Sequence, residues 1–173
     1  MKNAALLLIV TLTVVSSALT AGNPAIDAPH HKNADPSAHV WPDGKMYVYV
    51  TYDGETWHCF SSEDLVHWTD HDLGFGLEDT GWARERAWAP DAMEKNGKYY
   101  FYYPAHYGEG TEGMHTGVAV SDSPTGPFRE ALGRPLLKDA HDPAVFKDDD
   151  GTCYLYTQKK VVRLGEDMIS LAG

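Results

Sequence analysis

Positive charge is scarce in this chain of 173 residues: 14 Lys and Arg stand against 25 Asp and Glu, a formal net charge of −11. Attraction to a phosphate backbone is thereby excluded as a driving force for binding. Cysteine is nearly missing, with Cys59 and Cys153 alone, so no disulfide framework holds the fold. The two lie in separate segments with no Cys-x-x-Cys pattern and are expected to be buried free thiols. Helical apolar periodicity does not extend over any useful length past the N-terminal segment, which leaves strands as the main element. The longest apolar stretch, residues 4–15, falls short of the roughly 20 residues that span a bilayer. Lys2 before it and Ser16, Ser17 and Ala18 after it give the order of a secretory signal, cleaved near Ala18 or at the latest near Ala21. Residues 1–18 are therefore set aside as a signal peptide. The protein is expected to be secreted or periplasmic, with neither nucleic acid nor, after cleavage, membrane as a partner.

What is abundant points the same way. Aromatic residues make up 12% of the chain, as five Trp, ten Tyr and five Phe, beside 16 Gly and 10 Pro; this mixture favours strands and turns. Three segments align: ADPSAHVWPDGKMYVYVTYD at 34–53, WAPDAMEKNGKYYFYYPAHY at 88–107 and HDPAVFKDDDGTCYLYTQ at 141–158. Each has an adjacent Asp and Pro, a short apolar stretch, an Asp/Asn-Gly turn and an alternating aromatic run. The turn glycines, Gly44, Gly97 and Gly151, recur at intervals of 53 and 54 residues. Such dipeptides supply the positive φ of tight hairpins, so the flanking runs are antiparallel strands. Further strands are expected at 56–61, 116–121 and 161–164. About four short strands per repeat of some fifty residues is the arithmetic of a β-propeller blade. Three repeats do not close a ring, and the third stops before its last strand. The expectation is an all-β fold, about three four-stranded blades of a longer propeller, with 23–173 its N-terminal part. A β-sandwich is the alternative, but it does not require so constant a spacing.

The first residues of each innermost strand should gather at one end of the central axis, which makes Asp35, Asp91 and Asp142 candidates for a shared cavity. Paired carboxylates in a cleft run acid and base chemistry on a glycosidic bond. An isolated Asp-Pro more often marks a strand start or a turn. Here the surrounding motifs add weight: ADPSAHV, WAPDAMEKNGKYYFYY and HDPAVFKDDDGTCYLY together resemble glycoside hydrolase family 43. The resemblance runs from about Asn23 to the end and includes the EDLVHW and SPTGPF elements between repeats. It implies a five-bladed propeller that removes arabinofuranosyl or xylosyl units with inversion. It makes Asp35 the general base, Asp142 the aspartate that tunes and orients the acid, and Trp88 a platform for the sugar. The family's general acid, a Glu in a Glu-Gly-Pro-like segment, has no counterpart in this chain, so the fragment alone is expected to be inactive.

Among the histidines no spacing indicates zinc; His39, His106 and His141 are assigned as pocket donors to sugar hydroxyls, with plain packing the alternative. Asp148, Asp149 and Asp150 read as a charged hairpin turn rather than a calcium loop. No cofactor is expected. The resemblance allows an axial calcium or sodium ion, though no residue pattern here indicates one. Glu85 between Arg84 and Arg86 reads as part of a surface ion-pair group, with an acidic-sugar clamp the alternative for the arginines. Tyr99 to Tyr103 are assigned to packing rather than to a sugar stripe. A non-catalytic carbohydrate-binding propeller and another five-bladed sugar enzyme, a fructan hydrolase or glycoside phosphorylase, stay open as alternatives.

Overall fold

A computed structural model of the chain describes residues 33–108 and 113–173. The signal-peptide segment lies outside the described residues. Eleven strands form three antiparallel sheets, each following chain order from its innermost strand outward. The first blade is β1 (Ala34–Val40), β2 (Met46–Thr51), β3 (Thr56–Ser62) and β4 (Thr69–Gly76). The second is β5 (Asp91–Lys95), β6 (Lys98–Ala105), β7 (His115–Ser121) and β8 (Arg129–Glu130). The third holds β9 (Ala144–Lys147), β10 (Cys153–Tyr156) and β11 (Val161–Arg163). A 3-10 turn at Leu77–Thr80 is the one helical element among the described residues. This is propeller architecture, with three of the expected blades and the third lacking its fourth strand.

The hairpin glycines all take left-handed backbone, at φ 80° for Gly44, 75° for Gly97 and 85° for Gly151. Only the second blade has the two-residue turn the dipeptides suggest. Lys95 pairs with Lys98 across Asn96-Gly97, and Asn96 is itself at φ 56°. In the first blade Val40 pairs with Met46, so the connection is five residues long and glycine alone needs positive φ. In the third, Asp148, Asp149 and Asp150 shape the turn: Asp149 N donates to Asp148 Oδ1 and Thr152 N to Asp150 Oδ1, both at 2.8 Å.

Strand alternation sends the two faces of β6 into two separate cores. Phe101 and Tyr103 enter the cluster shared with the first blade, among Tyr49, Trp57, Leu73 and Phe75. Tyr100 and Tyr102 enter the cluster shared with the third, among Val118, Leu155, Leu164 and Met168. Both faces of the aromatic run are thus packing between blades, which is what a period of two demands of a central sheet. Gly117 makes room for one of these rings: a Cβ there would lie 2.3 Å from Tyr103 Cζ. Cys59 and Cys153 are buried and free, and burial pushes the Cys59 thiol up to about 12. The third blade leaves Phe146, Tyr156, Val161 and Leu171 exposed.

Candidate active site

Equivalent positions of the three blades can be read from the register. Ser37, Asp91 and Ala144 each pair with a tyrosine, respectively Tyr49, Tyr102 and Tyr156, and each tyrosine lies five residues after its turn glycine. One residue earlier stand the prolines Pro36, Pro90 and Pro143. One earlier again stand Asp35, Ala89 and Asp142, and before them Ala34, Trp88 and His141. The innermost strands therefore begin at a common end of the assembly, and two of the three begin with an exposed carboxylate.

Asp35 and Asp142 share an uncommon backbone, at φ 53° and 52°. A residue before proline prefers extended backbone, and left-handed φ in a non-glycine residue costs about 1–3 kcal/mol; Asp tolerates it better than most because its short side chain bonds locally. In the first blade the register between β1 and β2 slips between Ala34 and Ser37. That bulge places Asp35 and Pro36 where the ladder is interrupted and re-aims the carboxylate. Thr51 Oγ1 donates to Asp35 Oδ2 at 3.4 Å. In the third blade Gln158 Nε2 donates to Asp142 Oδ2 at 2.8 Å, and His141 Nε2 lies 3.0 Å from Asp142 Oδ1. Each carboxylate is thus steadied from the end of the second strand of its own blade, by Thr51 within β2 and by Gln158 just past β10, and keeps open lone pairs toward solvent.

Between them in chain order, Trp88 stands one residue before Ala89, the counterpart of Asp35 and Asp142, and so matches Ala34 and His141. The residue is 38% exposed; its ring lies 5.7 Å from the His141 ring and carries the Arg86 guanidinium at 5.4 Å from its centroid. The Trp88 carbonyl accepts from the indole of buried Trp57 at 2.7 Å, so the first blade fixes the platform of the second. An exposed, backbone-anchored indole beside an imidazole suits the apolar face and hydroxyl edge of a sugar ring.

The other two histidines sit differently. His39 stacks on Trp41 with centroids 4.6 Å apart, and its Nε2 lies 2.8 Å from both Ser37 Oγ and Asp91 Oδ1. Buried His106 has Nδ1 2.9 Å from Glu85 Oε1 and 3.1 Å from the Gly108 amide. Glu85 is accordingly committed to a histidine; Arg86 Nε is 4.0 Å away, and Arg84 donates to the Ala83 carbonyl instead. Packing accounts for these contacts of His39 and His106. No sequence signal separated them from His141, because all three follow or precede small or aromatic residues in loops and strand ends.

Asp91 is the residue of the original trio that behaves unlike the others. It is buried and accepts four hydrogen bonds, from Ser37 Oγ (2.5 Å), His39 Nε2 and Ala92 N (both 2.8 Å) and Val145 N (2.6 Å). That leaves it no capacity for a ligand. Among the described residues no group of three His, Cys, Asp or Glu is placed to hold a metal ion. With Asp91 saturated, the described residues do not by themselves fit an axial cation.

A cleft of about 550 Å³ is lined by Glu55, Thr56, Leu77, Glu78 and Arg84, and by none of Asp35, Trp88, His141 and Asp142. It lies at the β2–β3 hairpin end of the first blade, the end at which β1 begins.

Comparison with known proteins places this arrangement. The model of glycosyl hydrolases family 43 matches residues 22–172. A xylosidase/arabinosidase from Humicola insolens is 43% identical over 71% of this chain and 42% of its own length. A β-xylosidase from Xylanibacter ruminicola is 38% identical, with 71% and 43% covered. The solved structure of a β-xylosidase/α-arabinofuranosidase from a compost metagenome, in complex with xylotriose, superposes with a TM-score of 0.74 at 33% identity, covering 84% of this chain and 58% of that one. Such neighbours are five-bladed propellers, of which this chain covers part. The chain spans about half the length of the relatives it matches. By the family match, the identity and the shared fold, the chain belongs to glycosyl hydrolases family 43.

Proposed function

We propose that this chain carries the base side of an inverting glycosidase site for arabinose- or xylose-containing plant polysaccharides and their oligosaccharides. The observation that supports it most is the placement of two left-handed, pre-proline aspartates, Asp35 and Asp142, at the same end of two innermost strands, with the exposed Trp88 just ahead of the innermost strand of the blade between. In this reading a pentose lies against Trp88. Asp35 removes a proton from the water that attacks the anomeric carbon from the face opposite the leaving group. Asp142 supplies negative charge that disfavours ionisation of the acid, keeping it protonated, and orients it. His141, within 3.0 Å of Asp142, donates to a sugar hydroxyl or to that carboxylate. The chemistry uses carboxylates and water and takes no cofactor.

The acid is the missing member. Glu85, the glutamate closest to the platform in sequence, is engaged by His106, and none of the chain's glutamates stands in a Glu-Gly-Pro-like segment. The chain alone is therefore expected to bind pentose without turnover. Export follows from the N-terminal segment; relatives from Cellvibrio japonicus and Thermotoga petrophila carry the word extracellular in their names. No helix among the described residues is long and apolar enough to cross a membrane.

The test has two parts. Extending the DNA read past the codon for Gly173 is expected to reveal an in-frame Glu-Gly-Pro-like segment. The protein encoded with that segment is expected to hydrolyse arabinoxylan or a 4-nitrophenyl pentoside with inversion, and the 173-residue chain is not. Hydrolysis by the chain itself, or by its Asp35→Ala variant, would remove the assignment of roles; binding without hydrolysis by the extended protein would favour a carbohydrate-binding propeller.

A further inference from the structure

We infer that Asp91 is the positioning residue of this site: one buried carboxylate ties the strand that carries Asp35 and the strand that follows Asp142 to the strand that Trp88 leads into. The inference rests on the glycosidase reading above for what is positioned, and on geometry alone for the tie itself.

Asp91 opens β5. Its Oδ1 accepts from Ser37 and His39 of β1, two and four residues beyond Asp35, and from the Ala92 amide of its own strand. Its Oδ2 accepts from the amide of Val145 in β9, three residues beyond Asp142, at 2.6 Å. Four short bonds, two of them from backbone amides that cannot reverse direction, saturate a carboxylate shielded from water. Charge-assisted bonds of this length are about twice as strong as neutral ones and fix direction. Neighbouring blades also meet through apolar packing, which is non-directional, and through single hydrogen bonds elsewhere, from Tyr49 to the Pro124 carbonyl, from Trp57 to the Trp88 carbonyl and from Tyr102 to the Met168 carbonyl; Asp91 gathers bonds from both neighbours on one side chain. The tie supplies direction at the place where a shift between β1 and β9 would alter the spacing of the two candidate carboxylates.

The cluster of Ser37, His39 and Asp91 is not a nucleophile in disguise. In a serine hydrolase the carboxylate holds one imidazole nitrogen and the hydroxyl meets the other. Here Ser37 and Asp91 meet the same nitrogen, Nε2, and the Ser37 proton is given directly to the carboxylate. The hydroxyl gains no base. Its role is to be held.

The experiment uses the 173-residue chain, isotope-labelled, as native protein and as Asp91→Ala, Asp91→Asn and Ser37→Ala. Residual dipolar couplings report the orientations of β1, β5 and β9, and chemical shifts follow titration with methyl xyloside and methyl arabinofuranoside. In the native chain the three strands fit one alignment tensor. In Asp91→Ala, β1 and β9 are expected to depart from the tensor that still fits β5, β6 and β7, and pentose affinity to fall about tenfold, the worth of one well-placed hydrogen bond. Asp91→Asn always leaves either the Ala92 or the Val145 amide facing an amino group, and is expected to release one neighbour. Ser37→Ala is expected to loosen β1 and leave β9 in place, so the inference remains testable should Asp91→Ala fail to fold. Strands that keep a single tensor in the folded Asp91 variants, or a Ser37→Ala chain in which β1 and β9 move alike, would overturn it. If the native chain gives no saturable pentose shifts, the sugar-site reading falls while the strand orientations still decide the role of Asp91.

Discussion

The first and third blades begin Asp-Pro, whereas the second begins Pro-Asp, and this reversal separates chemistry from construction. Before the proline, Asp35 at the bulged start of β1 and Asp142 ahead of β9 are both left-handed, with side chains open to solvent. After it, Asp91 stands two residues further in, paired with Tyr102 in the sheet, buried and fully hydrogen-bonded. The same two residue types at nearly the same place thus give solvent-open carboxylates in two blades and a structural one in the blade between. Burial decides the outcome: a carboxylate removed from water must be satisfied by donors, and once satisfied it has nothing left to offer a substrate.

Substitutions at these positions should separate the two roles, and the largest effect belongs to the buried member. Asp91→Ala leaves two backbone amides and a histidine without their acceptor, and is expected to cost about 3–5 kcal/mol of stability, the penalty for breaking a buried charged network. Thermal or urea unfolding measures it; a loss under about 1 kcal/mol would place Asp91 among ordinary surface carboxylates. Trp57→Phe comes next. It keeps most of the ring packing against Phe75, Phe101 and Tyr103 but deletes the donor to the Trp88 carbonyl. A loss of about 1–2 kcal/mol is expected, with a changed fluorescence or indole shift for Trp88, and an unchanged Trp88 signal would show that the platform needs no support from the first blade.

Acid should weaken the second blade in a specific window. Burial lowers the affinity of His115 for a proton below its ordinary value of 6.5, and its Nδ1 accepts from the Asp139 amide at 2.9 Å, a bond available only to the neutral ring. The unfolded chain therefore binds the proton first. Stability is full above pH 6.5 and is lost as pH falls from there through the lowered folded value. His115→Gln is expected to flatten this part of the curve of stability against pH, and an unaltered slope would assign the acid sensitivity elsewhere. Asp142→Asn should have the smallest effect on stability, within about 0.5 kcal/mol, because Asn also accepts left-handed backbone and Asp142 is exposed. A large loss of stability there would contradict the division between the blades.

Much of this was legible in the sequence because it rests on local rules. The 53- and 54-residue intervals gave the blades, the glycines at the hairpins took positive φ in all three, and the alternating run in β6 packed on both faces. Other features depend on long-range partners that no spacing reports. Asp91 was grouped with Asp35 and Asp142 as a shared-cavity candidate, yet its partners lie 52 and 54 residues away. Glu85 read as an arginine partner from its neighbours in the chain, whereas the fold presents it with His106, 21 residues on. The bulge that re-aims Asp35 was equally invisible, since the extra residue shows only when β1 is laid against β2. Counting residues from each proline would have given a hint, because Asp91 falls after Pro90 while Asp35 and Asp142 fall before theirs.

The exposed apolar residues of the third blade, Phe146, Val161 and Leu171 among them, fit a face that a further blade would cover, as the longer relatives provide.

The central claim is that Asp35 and Asp142 serve one pentose bound on Trp88. A crystal structure of the chain grown with xylotriose tests it most directly. The account predicts a sugar ring stacked on the Trp88 indole, with Asp35 on one side of its anomeric carbon at the distance of a single water and Asp142 within reach of the leaving oxygen's side. A sugar seated elsewhere, or a Trp88 ring bare beside an ordered ligand in the cleft near Glu55 and Arg84, would contradict it.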